Sequence, residues 1–336
     1  MEVFQTKRLT IPAAEELLGL YFPVLDHGYV ALVDYMGGDA AIDQAARTSY
    51  GAGTRKVSER RGLLRTLKRN AHTSPYEMVE LKFHCAMPIF VARQWVRHRT
   101  ANLNEYSARY SVLPMLFYVP DQLVVGKQSV NNKQGRGAAL DAEQFEQYLE
   151  SVHLAYEAAQ AEYEKQVRMG VARETARGVL PVTTYTQWYW KIDLHNLSHF
   201  LGLRCDAHAQ LEIRVYADIL AAMVKRLAPE SFEAWVDYEF AGCRMSRMEL
   251  GILRKLVLAN LEDASIIPNP HGPLIDVASM QSGFGLSKRE VDEFLVKLSR
   301  PTVVPSFDLD LAAAKSPEFF AEKWEKAVPT VDRVPA

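Results

Sequence analysis

Apolar and polar residues alternate most strictly from Val79 to Met87, where Val79, Leu81, Phe83, Cys85 and Met87 are interleaved with Glu80, Lys82, His84 and Ala86. Successive side chains of a strand point to opposite faces, so this run predicts a strand with one face on a core. Cys85 falls on the apolar face, which marks it as a packing residue rather than a nucleophile. Gly28–Met36, β-branched and aromatic and closed by Gly37-Gly38, reads as a second strand, and residues 182–187 as a third.

Helical spacing takes over elsewhere. Short helices are expected around residues 13–20 and over 39–47, and Pro88 stops the alternating strand and opens a helix through Trp95. The basic segment 56–70 carries Leu63, Leu64 and Leu67 at helical spacing, which reads as an amphipathic helix with a solvated charged face. A nucleic-acid helix is the alternative, but the segment lacks interleaved aromatics. Asp141 with Gln144 three residues on caps a helix whose stripe is Phe145, Tyr148, Val152, Tyr156 and Tyr163. Residues 194–227 read as one bent helix or two pieces, with Gly202 as the break and Pro229 as the end. Residues 231–256 read as a further helical stretch. Ser287 and Glu290 form a capping box for a helix through Leu298, and residues 317–327 form a last amphipathic piece. The polar, Gly-rich stretch 126–139 reads as a flexible loop that can serve as a lid. Loop-like residues 268–273 put the joint near 260–275, dividing a main domain, 1–260, from a C-terminal extension, 261–336.

Composition narrows the class. The chain has 336 residues, 48% hydrophobic and 24% charged, ordinary for a soluble globular protein with a large core. A formal charge of −2 argues against a general nucleic-acid coat while leaving room for a local cationic pocket. Cys85, Cys205 and Cys243 are widely spaced, which is neither a zinc cluster nor a disulfide framework and fits a reducing compartment. No apolar run is long enough to cross a bilayer and the first residues lack a signal core, so a cytoplasmic location is expected.

The chemistry concentrates in residues 94–110, where Arg97, His98, Arg99, Asn102, Asn104, Glu105 and Arg109 stand among apolar residues. Adjacent residues do not share a helix face, so Arg97, His98 and Arg99 must diverge, as at a helix end opening into a loop. Ser107 and Arg109 would share a face in an extended chain. His72 with Ser74, residues 94–109, and residues 173–208 are three clusters rich in anion-binding groups. Arg97, Arg109, Arg177 and Arg204 are the candidates to pair with phosphate or a developing anion. Arg173 with Arg177, and Arg204 with His208, lie four apart and could share helix faces. Structural ion pairs are the alternative for any single arginine, and a metal site built on His195, His199, His208, Asp193 and Asp206 is an alternative for the last cluster.

Arg97-His98-Arg99, seven residues, then Ser107, resembles the signature of the flavin-dependent thymidylate synthases. The flanking Pro88-Ile89-Phe90-Val91-Ala92-Arg93-Gln94-Trp95 and Asn104-Glu105-Tyr106-Ser107-x-Arg109-Tyr110 resemble the same family, and the likeness spans about residues 28–255. The resemblance implies an α+β fold with a central, mostly antiparallel sheet flanked by helices. It implies methylation of dUMP from methylenetetrahydrofolate, FAD as hydride carrier, NADPH as reductant, and no cysteine nucleophile. It further implies a homotetramer with active sites between subunits; from charge and the lack of a long apolar run, neither nucleic acid nor membrane is expected as a partner. By matching position, Ser49, His72, Ser74, Arg97, His98, Arg99, Glu105 and His208 are expected at the flavin. Gln94, Ser107, Arg109, Arg177 and Arg204 are expected at the nucleotide, with Arg97 assigned there too. Arg204 is the expected catalytic residue, polarising the uracil ring. Asn102 and Met78 depart from the usual Ser and His. Asp193, His195 and His199 stand where Asn, Arg and Asn are usual, and Asp193 and His199 are expected in the flavin pocket.

Overall fold

The computed structural model describes residues 9–49, 59–130, 135–259, 277–284, 287–299 and 303–330. The alternating run becomes β3 (Glu80–Pro88), the middle of a five-stranded sheet. Its order is β1 (Tyr21–Val24), β2 (Gly28–Met36), β3, β7 (Tyr185–Asp193) and β4 (Asn102–Glu105), and every pairing is antiparallel. Phe83 lies opposite both Leu32 and Trp190, so the apolar faces of three strands coincide. The strand expected at 182–187 is displaced: alternation continues through Trp188, Trp190 and Ile192, all buried, with Tyr189 turned out. The edges β1 and β4 have four residues each, too short to show a period.

One face of the sheet is covered by helices. Pro88 is both the last residue of β3 and the N-cap of α4 (Ile89–Trp95), so the strand feeds the helix without a loop. α7 (Leu194–Arg204) follows β7 as directly, and α8 (Leu211–Leu227) lies behind both. The Tyr216 hydroxyl donates to the Ala86 carbonyl at 2.9 Å, fully buried. A Cβ at Gly28 would stand 2.2 Å from that hydroxyl, which is why β2 opens with glycine.

Several expected boundaries move for local reasons. α1 (Pro12–Glu15) stops short of residue 20 because the chain turns through Gly19 at φ +78°. α2 (Asp39–Arg47) is as expected. The helix in the basic segment is α3 (Arg60–Arg69), while residues 50–58 lie outside the described residues. Its charged face is not simply solvated: Arg60 pairs with Glu230, and Arg61 and Arg65 pair with Glu233. Those acids sit on α9 (Pro229–Trp235), where Pro229 begins a helix instead of merely ending one, since proline's missing N–H costs nothing at a first helical position. Buried Asp39 accepts the α9 amides of Glu230 (2.9 Å) and Ser231 (3.0 Å). Between α7 and α8 the break falls at residues 205–210. Gly202 stays inside α7, and Asp206 turns the chain by accepting the His208 amide at 2.7 Å.

The stretch 126–139 is not a plain loop. It forms a hairpin of β5 (Gly126–Gln128) and β6 (Arg136–Ala139), with residues 131–134 outside the described ones. α5 (Ala142–Arg168) begins as expected, with Asp141 accepting the Gln144 amide at 2.9 Å, and α6 (Arg173–Ala176) follows.

Packing divides the chain into residues 1–235 with 306–336, and residues 236–305. The expected joint near 260–275 and the 268–273 loop lie outside the described residues. In the smaller unit, α10 (Arg247–Ala259), α11 (Val277–Phe284) and α12 (Lys288–Ser299) bury Ile252, Met280, Val291 and Phe294 together. The expected capping box forms there, with Ser287 N donating to Glu290 Oε2 (2.7 Å) and Glu290 N donating to Ser287 Oγ (3.3 Å). α13 (Pro317–Lys326), expected over 317–327, belongs to the larger unit. Its Phe320 and Trp324 pack with Tyr29, Ala86 and Tyr185 on the second face of the sheet, and Lys315 and Tyr21 exchange backbone hydrogen bonds of 2.8 and 3.0 Å. Trp324→Ala is therefore expected to destabilise the full chain by about 3 kcal/mol in urea unfolding, and a loss below about 1 kcal/mol would contradict this account of α13.

Candidate active site

The end of α4 is fixed by Trp95. Its ring is fully buried, with centroids 5.0 Å from Phe200, 5.2 Å from Trp190, 5.5 Å from Trp188 and 5.8 Å from Tyr216. The chain then turns, the His98 amide donating to the Trp95 carbonyl at 3.0 Å. Arg97 and Arg99 emerge exposed while His98 stays half-buried, the divergence that three adjacent residues at a helix end require.

α7 brings Arg204 to the same place. Asp193 caps it, accepting the Asn196 amide (2.9 Å) and Asn196 Nδ2 (2.6 Å), and Arg204 is its last residue. Arg204 Nε donates to His98 Nε2 at 3.1 Å, and Nη2 donates to the Gln94 carbonyl at 3.4 Å. His98 Nε2 must carry its lone pair toward the cation, so the ring is neutral with its proton on Nδ1. Burial, then the Arg204 cation, then His199 push the His98 pKa down to about 4. Phe200 meets the His98 ring edge-on at 4.8 Å, and the exposed His199 ring lies 6.1 Å away. On the other side, Gln94 Nε2 donates to Gln210 Oε1. Gln210 was not legible as a site residue, because nothing in its local pattern separates it from any polar residue before a helix.

A second group gathers where β4 ends. The Tyr106 amide donates to the Gln187 carbonyl at 2.8 Å, and Glu105 accepts the Thr186 hydroxyl at 2.8 Å. Residues 107–110 form a turn rather than an extended pair. Tyr110 N donates to the Ser107 carbonyl (3.2 Å) and Arg109 N to Ser107 Oγ (3.3 Å). Arg109 pairs with Glu174 of α6 at 3.1 Å, both more than half exposed, and Arg173 Nη1 donates to the Tyr110 carbonyl at 2.8 Å. Arg177, exposed, opens a tighter turn over Arg177–Val179, so it and Arg173 do not continue one regular α-helix.

Ser49 follows α2, and His72 and Ser74 lie in the turn after α3, all exposed. His208 is exposed, its Nδ1 2.8 Å from Asp206 Oδ1; because α7 ends at Arg204, the two do not share a helix face. Among the described residues none of these side chains hydrogen-bonds to Gln94, His98 or Arg204, and no carboxylate pairs with Arg97, Arg99, Arg177 or Arg204. Such uncompensated guanidinium groups, with Arg204 against the His98 ring, suit a ligand that joins phosphate to a planar ring. Among the described residues no group of three or more His, Cys, Asp or Glu is arranged to hold a metal ion, and no helix is long and apolar enough to cross a membrane.

The low pKa of His98 has a sign that can be tested. Between about pH 4 and the ordinary histidine value near 6.5, the unfolded chain binds the proton and the folded chain does not, so stability falls as pH falls through this window. His98→Gln should lose less stability than the natural chain between about pH 7 and about pH 5 in urea melts, and identical slopes would contradict the buried neutral ring.

Comparison with known proteins agrees with this geometry. A family model described as thymidylate synthase complementing protein matches residues 31–230. The flavin-dependent thymidylate synthase of Wolbachia pipientis wMel is 48% identical over 280 residues, covering 82% of this chain and 99% of that protein. The one from Dictyostelium discoideum is 52% identical over 242 residues, 69% of this chain and 78% of that protein. Among solved structures, the UMP/dUMP methylase PolB from Streptomyces cacaoi, bound with 5-Br UMP, superposes with a TM-score of 0.59. It is 35% identical, covering 65% of this chain and 98% of that chain. With an antiparallel sheet delivering Arg97-His98-Arg99 and Arg204 to one place, and relatives matched over most of its length, this chain belongs to the flavin-dependent thymidylate synthase family.

Proposed function

We propose that this chain performs the reductive methylation of dUMP to dTMP, with methylenetetrahydrofolate as carbon donor, FAD as cofactor and NADPH as the reductant. It does so as a cytoplasmic homotetramer, without nucleic acid or membrane as a partner. The observation that carries the reading is Arg204, a half-buried cation with no carboxylate partner among the described residues, held from two sides by His98 and the Gln94 carbonyl.

The residues present fit both ligands. Arg97, Arg99 and Arg177 offer guanidinium forks free of carboxylates among the described residues, which suits the phosphates of a nucleotide and of a dinucleotide. His98, His199 and Phe200 offer ring faces and edges beside Arg204. Ser49, His72, Ser74, Arg97, His98, Arg99, Glu105, His199 and His208 would hold the flavin, with Asp193 acting through its cap on α7. Reduced FAD supplies the hydride when bound, chemistry that belongs to the cofactor. The exposure of Ser49, His72 and Ser74, none of which hydrogen-bonds to Arg204 among the described residues, supports a site completed by neighbouring subunits.

Arg204 would lie against a uracil carbonyl and stabilise the negative charge that builds there as the ring is attacked. Neutral His98 fixes the guanidinium by accepting its Nε–H and adds no second charge to compete for that carbonyl. Gln94 would face the nucleotide, and Ser107, Arg109, Arg97 and Arg177 its phosphate and sugar. Arg109 first leaves Glu174; a pair this exposed costs about 1 kcal/mol or less to exchange. The ion pairs between α3 and α9 support leaving nucleic acid out, since three of the four arginines of the basic helix pair within the fold.

A second reading, favoured by the 35% identity to a UMP/dUMP methylase, has UMP as the methyl acceptor. Anaerobic addition of methylenetetrahydrofolate with either dUMP or UMP to the reduced holoenzyme separates the two. Flavin reoxidation with dTMP formation is expected from dUMP, and turnover of UMP alone would replace the proposal by its rival. Arg204→Ala should lower dTMP formation by about a hundredfold or more while most flavin stays bound, and full turnover would remove the role given to Arg204. Ser107→Ala should weaken dUMP more than flavin, whereas equal losses would count against that division.

A further inference from the structure

The hairpin β5–β6 is tied to the site through one buried charge. Arg136, at the start of β6, reaches across to Glu212 in the first turn of α8, whose side chain is only 5% exposed. Its Nη2 donates to Glu212 Oε1 at 2.6 Å and also meets Oε2, while Nη1 donates to the Val124 carbonyl at 2.5 Å. One guanidinium thus locks the incoming arm of the hairpin and α8 to each other. The Tyr118 hydroxyl completes the set, donating to Glu212 Oε1 at 3.4 Å. A cavity of about 310 Å³, lined by Arg136, Glu212, Gln210 and the aromatic rings of Phe90, Tyr118, Tyr148 and Tyr156, lies beside the pair.

Two residues before Glu212 is Gln210, whose carboxamide oxygen accepts Gln94 Nε2, and the Gln94 carbonyl in turn accepts Arg204. Glu212 therefore holds the last point of the 205–210 connection before α8 begins. With Arg136 gone, a buried carboxylate would lose the one cation paired with it among the described residues and be drawn toward water, taking the first turn of α8 and Gln210 with it. A shift of about 1 Å at a substrate-orienting group is enough to cost large factors in turnover or affinity.

We propose that Arg136 is a positioning residue for the nucleotide: by clamping Glu212 it sets Gln210, and through Gln210 the pose of the Gln94 amide. This rests on the reading of Gln94 as nucleotide-facing. A merely structural role would show only in stability, so the test separates affinity from folding.

Four variants of the full-length holoenzyme serve: Arg136→Met, Arg136→Lys, the double variant Arg136→Met with Glu212→Gln, and Gln94→Ala as reference. For each, KM for dUMP, kcat, flavin content and the urea midpoint are measured. Arg136→Met is expected to raise KM for dUMP about tenfold with kcat within about twofold and flavin retained, and Arg136→Lys to recover part of it. The double variant, with the buried charge removed, should regain stability but keep the raised KM. Unchanged KM in Arg136→Met beside a raised KM in Gln94→Ala overturns this proposal alone. Recovery of KM together with stability in the double variant overturns it too, by reducing Arg136 to a structural role. If Gln94→Ala itself leaves KM unchanged, the nucleotide reading of Gln94 falls, and the proposal with it.

Discussion

The burial of Trp95 is the constraint on which the site depends. An indole enclosed by Trp188, Trp190, Phe200 and Tyr216 fixes both the position and the rotation of the last turn of α4. Emptying such a pocket costs about 3–5 kcal/mol, so the helix end has no alternative seat of similar energy. From a rigid end of this kind, three consecutive residues can point three ways, and Arg97, His98 and Arg99 do. Three of those rings belong to β7 and α7, so the element that carries Arg204 is gauged against the one that carries His98. Packing sets their 3.1 Å contact, and the hydrogen bond only reports it.

Electrostatics then decides what that arrangement is for. The chain satisfies cations where it needs them for folding, as between α3 and α9 or between Arg136 and Glu212. Around Gln94 and Arg204 it leaves them without acids among the described residues. Keeping His98 neutral is part of the same plan. Burial first, and then the repulsion a protonated imidazole would meet 3.1 Å from a guanidinium, hold the His98 pKa down.

Much of this was legible in the sequence, and the reasons differ by element. β3 could be read because its alternation runs the length of a nine-residue strand, and β2 because nine residues rich in β-branched and aromatic side chains end at Gly37-Gly38. β1 and β4, four residues each, are strands only because β2 and β7 pair with them, which is tertiary information. The hairpin over 126–139 read as loop because its glycines and polar residues carry no β signal, and a salt bridge to a residue 76 positions away orders it. The Arg97-His98-Arg99 cluster was visible from adjacency and from the family likeness. The turn at Ser107, the end of α7 at Arg204 and the role of Gln210 were not, since each depends on a side-chain hydrogen bond that no spacing rule encodes.

The visible absorption spectrum of the purified full-length protein tests the central claim most directly. The account predicts flavin bands at close to one flavin per chain, bleached by reductant and restored by dUMP with methylenetetrahydrofolate. A colourless protein that also fails to take up added FAD would contradict it, whatever the likeness of its sequence.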